Sequence, residues 1–382
     1  MKHFRFYNKQ DILSITRIRR FETKLGERLQ FLKPDTEWPD ALTQTSAKYV
    51  LLGIPEDIGV RANLGKGGAE TAWLPFLHAF LNIQSNDFLV GDDILLLGHF
   101  DFGDLKFLID SNAYNQDELI NAYRHAVNTI DEEVEKIMKV IAASGKIPIV
   151  IGGGHNNAYP IIKGVAKGLH KNNHIPLAQI NCINLDAQSD LRPTEGRHSG
   201  NAFSYAEEDG YLGKYCVIGL QENYLPQNVL LKIQESPFFE FISYEEIFLE
   251  ERRNFIQAVS HATGFTEDTY TGIELDLDSI EHVLSSATTP STIAAPRRRR
   301  RPISAAIGHP PKRADRSARA SRPARAAPCR GAGPRSTARS PCRGRPTGRS
   351  RACRAGGSRP RRRRSRPGGA GGAPGRGRAR AA

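Results

Sequence analysis

Residues 180–201 read INCINLDAQSDLRPTEGRHSGN. The first six form a mainly apolar run, which is how a strand buried on both faces of a parallel sheet reads. Asp186 and Asp190 follow it directly, four residues apart. Open α/β sheets bind their ligands beyond the carboxyl ends of the strands, so this pair stands where such a fold places its chemistry. Two carboxylates just past a buried strand must be paired, hydrogen-bonded or metal-bound, because an unpaired buried charge is costly. A helix N-cap plus a solvent-facing Asp is the plain structural alternative.

Two other segments share this layout. An apolar run at 147–151 leads into GGGHNN at 152–157. The glycines permit a tight turn and close backbone approach, and His155 adds an imidazole. Read alone, this motif equally describes a phosphate-cradling turn with an ordinary polar His. Further on, GIELDLDSIE at 272–281 alternates. The alternation predicts a strand over 270–277 and places Glu274, Asp276 and Asp278 on one face. Three carboxylates on one face repel each other without a cation. Oxygen-rich sites suit Mn²⁺ or Mg²⁺, and an added imidazole favours Mn²⁺. The alternative is an edge strand with a solvated acidic face. As an ordered set, the three segments are more specific than any one of them.

Predicted strands at 49–54, 93–98, 147–151, 180–185, 215–220, 241–242 and 270–277 alternate with helical segments. The clearest helix spans 116–144, where Leu119, Ala122, Ala126, Ile130, Val134, Ile137 and Ile141 keep a 3–4 residue spacing. This alternation predicts an α/β fold with a mainly parallel sheet and helices on both faces. Residues 1–45 are polar and charged, with a short amphipathic stretch near 12–32, and read as an N-terminal extension packed on the main domain.

Charge divides the chain. Residues 297–382 contain 27 Arg and one Lys against a single Asp, a charge of +27, whereas the whole chain carries +13 and the first 296 residues −14. The basic balance therefore belongs to the tail and gives no reason to read the folded part as a nucleic-acid binder. The tail has no Phe, Tyr or Trp, and Ile303 and Ile307 are its only large aliphatics. It cannot bury enough apolar surface to offset chain entropy, so disorder is expected there. Five cysteines without a CxxC spacing argue against a zinc ribbon or a disulfide framework, and Cys182 reads as a buried thiol. The first residues hold no apolar signal-peptide core, and no apolar run reaches the ~18 residues of a membrane span. A reduced cytoplasmic setting without membrane contact is the default expectation.

GGGHNN, DAQSD and ELDLDSIE, in this order, resemble the GG-x-H, DAHxD and xDxDxxD motifs of the ureohydrolase family of arginases, agmatinases and formimidoylglutamases. GIPEDIGVRANLGKGGAETA resembles that family's N-terminal loop. SGNAF at 199–203 resembles the substrate loop of the formimidoylglutamase branch, where the arginase branch has a His two residues after the Asn. The resemblance covers residues 48–291 and implies a three-layer α/β/α fold. It also implies two Mn²⁺ ions bridged by a hydroxide. One metal would take His155, Asp186, Asp190 and Asp276. The other would take Asp186, Asp276, Asp278 and the position held here by Gln188, whose neutral carbonyl binds a hard cation less strongly than imidazole. Asp190 would pass a proton to the leaving amine, with His155 beside it. Arg192 and Arg197 would hold a substrate carboxylate, near Ser199 and Asn201; surface loop arginines are the alternative reading. His198 reads as a loop histidine without a role, the alternatives being a replacement ligand or a proton shuttle.

The implied reaction is hydrolysis of N-formimidoyl-L-glutamate, a linear amidine of histidine metabolism, to glutamate and formamide. Agmatinase- or arginase-type activity and an inactive, metal-poor member of the fold are the alternatives. Family members assemble into homo-oligomers.

The family pattern stops after residue 291. The expected division is an extension at 1–45, an incomplete ureohydrolase-like domain at 46–292 and an Arg/Ala/Pro/Gly-rich tail at 293–382. Those four residue types have GC-rich codons, as a GC-rich gene read out of frame would give. The competing reading is a basic arm that binds nucleic acid nonspecifically through phosphates. A sheet cut short here is expected to expose an edge and apolar faces.

Overall fold

The computed structural model describes residues 2–33 and 37–280. The division at 292 and every expectation for the tail at 293–382 lie outside the described residues. Eight strands are seen: β1 (Phe4–Phe6), β2 (Tyr49–Gly53), β3 (Ile94–Phe100), β4 (Ile147–Ile151), β5 (Ile180–Leu185), β6 (Leu212–Leu220), β7 (Phe239–Ser243) and β8 (Thr271–Leu275). They form two four-stranded sheets, ordered β1-β3-β2-β4 and β7-β6-β5-β8. All pairings are parallel except β1 with β3.

The apolar strands β2, β5 and β6 are buried on both faces: successive side chains point to opposite sides, and both sides are covered. Val50 and Leu52 of β2 join the core beneath the helix Gln116–Ala143, through Val127, Ile130, Val134 and Ile141. Leu51 turns to the other side, against Ile12, Trp73, Leu77 and Leu81. The second sheet repeats the pattern. Cys182 and Val217 face Tyr159, Ile162 and Phe203, whereas Cys216 and Ile218 face Ala258 and Ala262 of the helix Phe255–Thr266. Each sheet thus has helices on both faces, as the alternation predicted. The helices Gln116–Ala143 and Ala158–Lys171 meet closely at two glycines. A Cβ on Gly164 would lie 2.5 Å from the Met138 Cβ, and one on Gly168 2.6 Å from the Ala142 Cβ.

Three differences from the sequence reading are physical. First, β1 was not foreseen: FRF is only three residues long, below what periodicity resolves, and it is defined by pairing with His99 and Phe100 across the sheet. Second, the stretch near 12–32 holds only the short helices Lys9–Leu13 and Leu25–Arg28, yet Ile12, Leu25 and Leu29 are buried. Third, the last strand ends at Leu275 rather than 277. The Asp276 carboxylate accepts from the Asp278 N–H at 3.0 Å, and this turn starts the 3₁₀ segment Leu277–Ser279. Asp276 and Asp278 therefore leave a turn and not one face of a strand.

β4 and β8 are the end strands of their sheets. Ile147, Ile149, Ile273 and Leu275 on them are exposed. Among the described residues, no helix is long and apolar enough to cross a membrane.

Candidate metal centre

Three strand ends feed one place. Past β4, Gly152–Gly154 lead into the 3₁₀ turn His155–Asn157. Past β5 come Asp186 and Asp190, and past β8 come Asp276 and Asp278. The Nδ1 atom of His155 lies 2.9 Å from Asp190, 3.2 Å from Asp276 and 3.4 Å from Asp186. It meets none of them with hydrogen-bond alignment. A buried nitrogen facing three carboxylate oxygens is an arrangement able to hold a cation.

Electrostatics reinforces this reading. Burial alone pulls the His155 pKa down, but its contacts to Asp186, Asp190 and Asp276 outweigh that and hold it well above the ordinary value. Burial, with Asp190 and Asp276 close by, pushes Asp186 up to about 7. Asp190 is likewise raised, chiefly by burial. Burial also opposes ionisation of Asp276, yet His155 beside it holds its carboxyl below the usual range. Like charges this close favour protonation unless a cation compensates them.

Local structure fixes the donors. One Asp186 oxygen accepts from the Gln188 N–H at 2.7 Å and the other from the Asn184 amide at 3.0 Å. Asp190 is held at φ +48°, a left-handed conformation that costs a non-glycine residue energy and clusters at functional sites. Phe203 closes the pocket behind His155, edge-on at 5.4 Å.

Two overlapping groups result, His155–Asp186–Asp190 and Asp186–Asp276–Asp278, each with ligand atoms within 4.8 Å of one another. Asp186 belongs to both. The donor set of one imidazole and hard carboxylates fits Mn²⁺. The Gln188 side chain stands beside the second group, its amide nitrogen 3.4 Å from Asp278. Glu274 is half-buried on β8, its carboxyl raised by burial. It belongs to neither group, and nothing in the structure explains it.

The substrate-loop residues separate into two kinds. Arg192 is exposed and donates to the Asn63 side-chain oxygen Oδ1 at 2.6 Å, while the Asn63 side-chain amide donates to the Ser199 hydroxyl at 3.2 Å. Arg192 is close enough for its charge to act on Asp190. Arg197, by contrast, is buried. Its guanidinium donates to both Asp131 oxygens, to the Asn156 carbonyl and to Asn201, under the rings of Tyr159 and Tyr205. This corrects the reading of Arg197 as a carboxylate clamp, because its donors are already used inside the protein. Asn201 is fully buried and ties the loop to the Pro193 and Gly196 carbonyls. His198 is also fully buried, accepting from the Gly200 N–H. Burial first, then the charges of Arg192 and Arg124, bring its pKa down to about 4. The enclosed ring is held in its neutral form. Asn63 and Asp131 were not singled out in the sequence, since neither sits in a motif.

Two outcomes follow. Arg197→Met strands a buried Asp131 and is expected to cost about 3–5 kcal/mol in urea unfolding, whereas Arg192→Met stays within about 0.5 kcal/mol. The neutral His198 ring contributes stability that is fully present above its ordinary pKa of 6.5 and lost as pH falls from there toward about 4. His198→Gln should therefore flatten the loss of stability across that window in pH-dependent unfolding.

Comparison with known proteins follows this geometry. Residues 47–293 match the arginase family. A curated formimidoylglutamase from Geobacillus sp. (strain WCH70) is 32% identical over 181 residues, covering 47% of this chain and 47% of the relative. One from Streptococcus pyogenes serotype M6 is 25% identical over 240 residues, covering 61% of this chain and 65% of the relative. The chain thus spans about half the length of the first of these and under two thirds of the second. The fold resembles the crystal structure of formimidoylglutamase from Bacillus subtilis, with a TM-score of 0.51 at 16% identity, covering 72% of this chain and 77% of that one. The family match extends over more than half of the chain and over all three segments that supply the converging side chains, and the chain therefore belongs to the arginase family.

Proposed function

We propose that this protein is a manganese-dependent hydrolase of linear amidines, acting on N-formimidoyl-L-glutamate to give glutamate and formamide. The observation that carries the reading is the pair of ligand groups sharing Asp186, with the His155 nitrogen facing three carboxylates. His155, Asp186, Asp190 and Asp276 would hold one ion, and Asp186, Asp276 and Asp278, with the Gln188 carbonyl, a second. Bound there, the metal would polarise the amidine and lower the pKa of water at neutral pH.

The remaining chemistry falls to the chain itself. Asp190 accepts a proton from the attacking water and delivers it to the leaving amine, a role favoured by a carboxyl whose pKa burial has raised. Arg192, exposed at the mouth and steadied by Asn63, receives a substrate carboxylate. Ser199 adds a hydroxyl on the same side. The substrate choice rests on SGNAF at 199–203 and on the curated relatives named formimidoylglutamase.

A second reading has its own observation. Gln188 is neutral where the family pattern has an imidazole, and its amide nitrogen is turned to Asp278. The protein would then be a metal-poor, inactive member of the fold. Metal analysis and product assays separate the two. The proposal expects Mn²⁺ to co-purify or be taken up, and formamide to be released from N-formimidoyl-L-glutamate. Gln188→His is expected to raise the metal content. Urea from arginine or agmatine would contradict the substrate choice, and a chain that takes up no Mn²⁺ would favour the inactive reading.

A further inference from the structure

Glu56 stands outside every motif that points to the metal, yet it is almost completely buried. One of its carboxylate oxygens accepts from the Ile58 N–H at 2.7 Å and the Gly59 N–H at 3.2 Å. The other accepts from the Gly154 N–H at 3.2 Å, the Asn156 amide at 3.1 Å and the Asn157 amide at 2.6 Å. Burial raises the Glu56 pKa, but all five neighbours are N–H donors to its two oxygens and favour the ionised carboxylate against that burial. Three of the five belong to the loop that carries His155 and flank it on both sides.

The backbones are interlocked as well. The Gly154 N–H donates to the Glu56 carbonyl at 3.0 Å. A Cβ on Gly153 would lie 1.9 Å from that carbonyl oxygen and 2.6 Å from the Glu56 nitrogen. Such contacts are with backbone and cannot be relieved by a rotamer change, so only glycine fits. A Cβ on Gly154 would lie 2.2 Å from the Asn156 side-chain oxygen, and one on Gly59 1.9 Å from the same atom. Gly153 and Gly154 of the GGGH turn therefore let this loop wrap around Glu56.

We infer that Glu56 is the positioning residue for His155: its carboxylate fixes the GGGHNN loop and so sets the imidazole against Asp186, Asp190 and Asp276. The inference rests on the metal reading given above for its consequence, but not for its geometry. A group of this kind, one step removed from a metal ligand, is typically worth 10–100-fold in metal affinity. Glu56→Gln places an NH₂ group among N–H donors and releases the loop. Glu56→Asp keeps the charge and shortens its reach, and serves if the amide variant fails to fold.

The test is a double-mutant cycle on the full chain, read by Mn²⁺ titration calorimetry, with Glu56→Gln, His155→Asn and their combination. The expected result is a 10–100-fold weaker Mn²⁺ affinity in Glu56→Gln, a smaller loss in Glu56→Asp, and no further loss when His155 is already replaced. A general structural role would instead add its loss in both backgrounds, and that outcome overturns the inference. The metal-free protein supplies an independent readout, the ¹⁵N shifts of the His155 ring by NMR. They should move in Glu56→Gln and Glu56→Asp, and unmoved shifts overturn the inference. A wild-type chain that binds no Mn²⁺ overturns the metal reading instead, and the NMR comparison then decides the role of Glu56.

Discussion

Buried like charge is the constraint on which the site depends. Asp186, Asp190 and Asp276 crowd one imidazole nitrogen at 2.9–3.4 Å. Within a low-dielectric interior such a cluster is tolerable only if protons or cations compensate it. The raised pKa of Asp186, to about 7, is that cost expressed in the metal-free protein. The proposed metal would remove it, and binding would then be coupled to release of protons from these groups.

The rest of the fold serves to hold these groups in place against their repulsion. Three parallel strands deliver them from different parts of the chain, and the turns beyond the strands aim them. Asp186 is pinned by Gln188 and Asn184, Asp276 by its own turn to Asp278, and His155 by the loop wrapped on Glu56. Behind this layer, the buried Arg197–Asp131 pair links the His155 loop to the long helix Gln116–Ala143. The substrate loop is thereby joined to the metal-facing loop through one guanidinium. The open mouth is left to Arg192, Asn63 and Ser199.

Much of this was legible in the sequence, for identifiable reasons. Apolar runs buried on both faces mark β2 and β5 clearly, an equally apolar run marks the end strand β4, and the 3–4 residue spacing marks the long helix almost to the residue. The converging side chains were noticed because each lies within a few residues of the carboxyl end of a predicted strand. What escaped has no local signature. Glu56 and Asp131 matter through partners about 100 and 66 residues away. Arg197 looked like a substrate ligand because an arginine in a polar loop carries no sign of its burial. The turn at Asp276 was hidden by alternation that reads equally well as continued strand.

The central claim is that Asp186 is shared between two metal positions. Anomalous scattering at the manganese edge, from crystals of the full chain grown with MnCl₂, tests it most directly. One peak is expected among His155, Asp186, Asp190 and Asp276, and a second, of lower occupancy because of Gln188, among Asp186, Asp276 and Asp278. Absence of any peak, or a peak that does not touch Asp186, would contradict it.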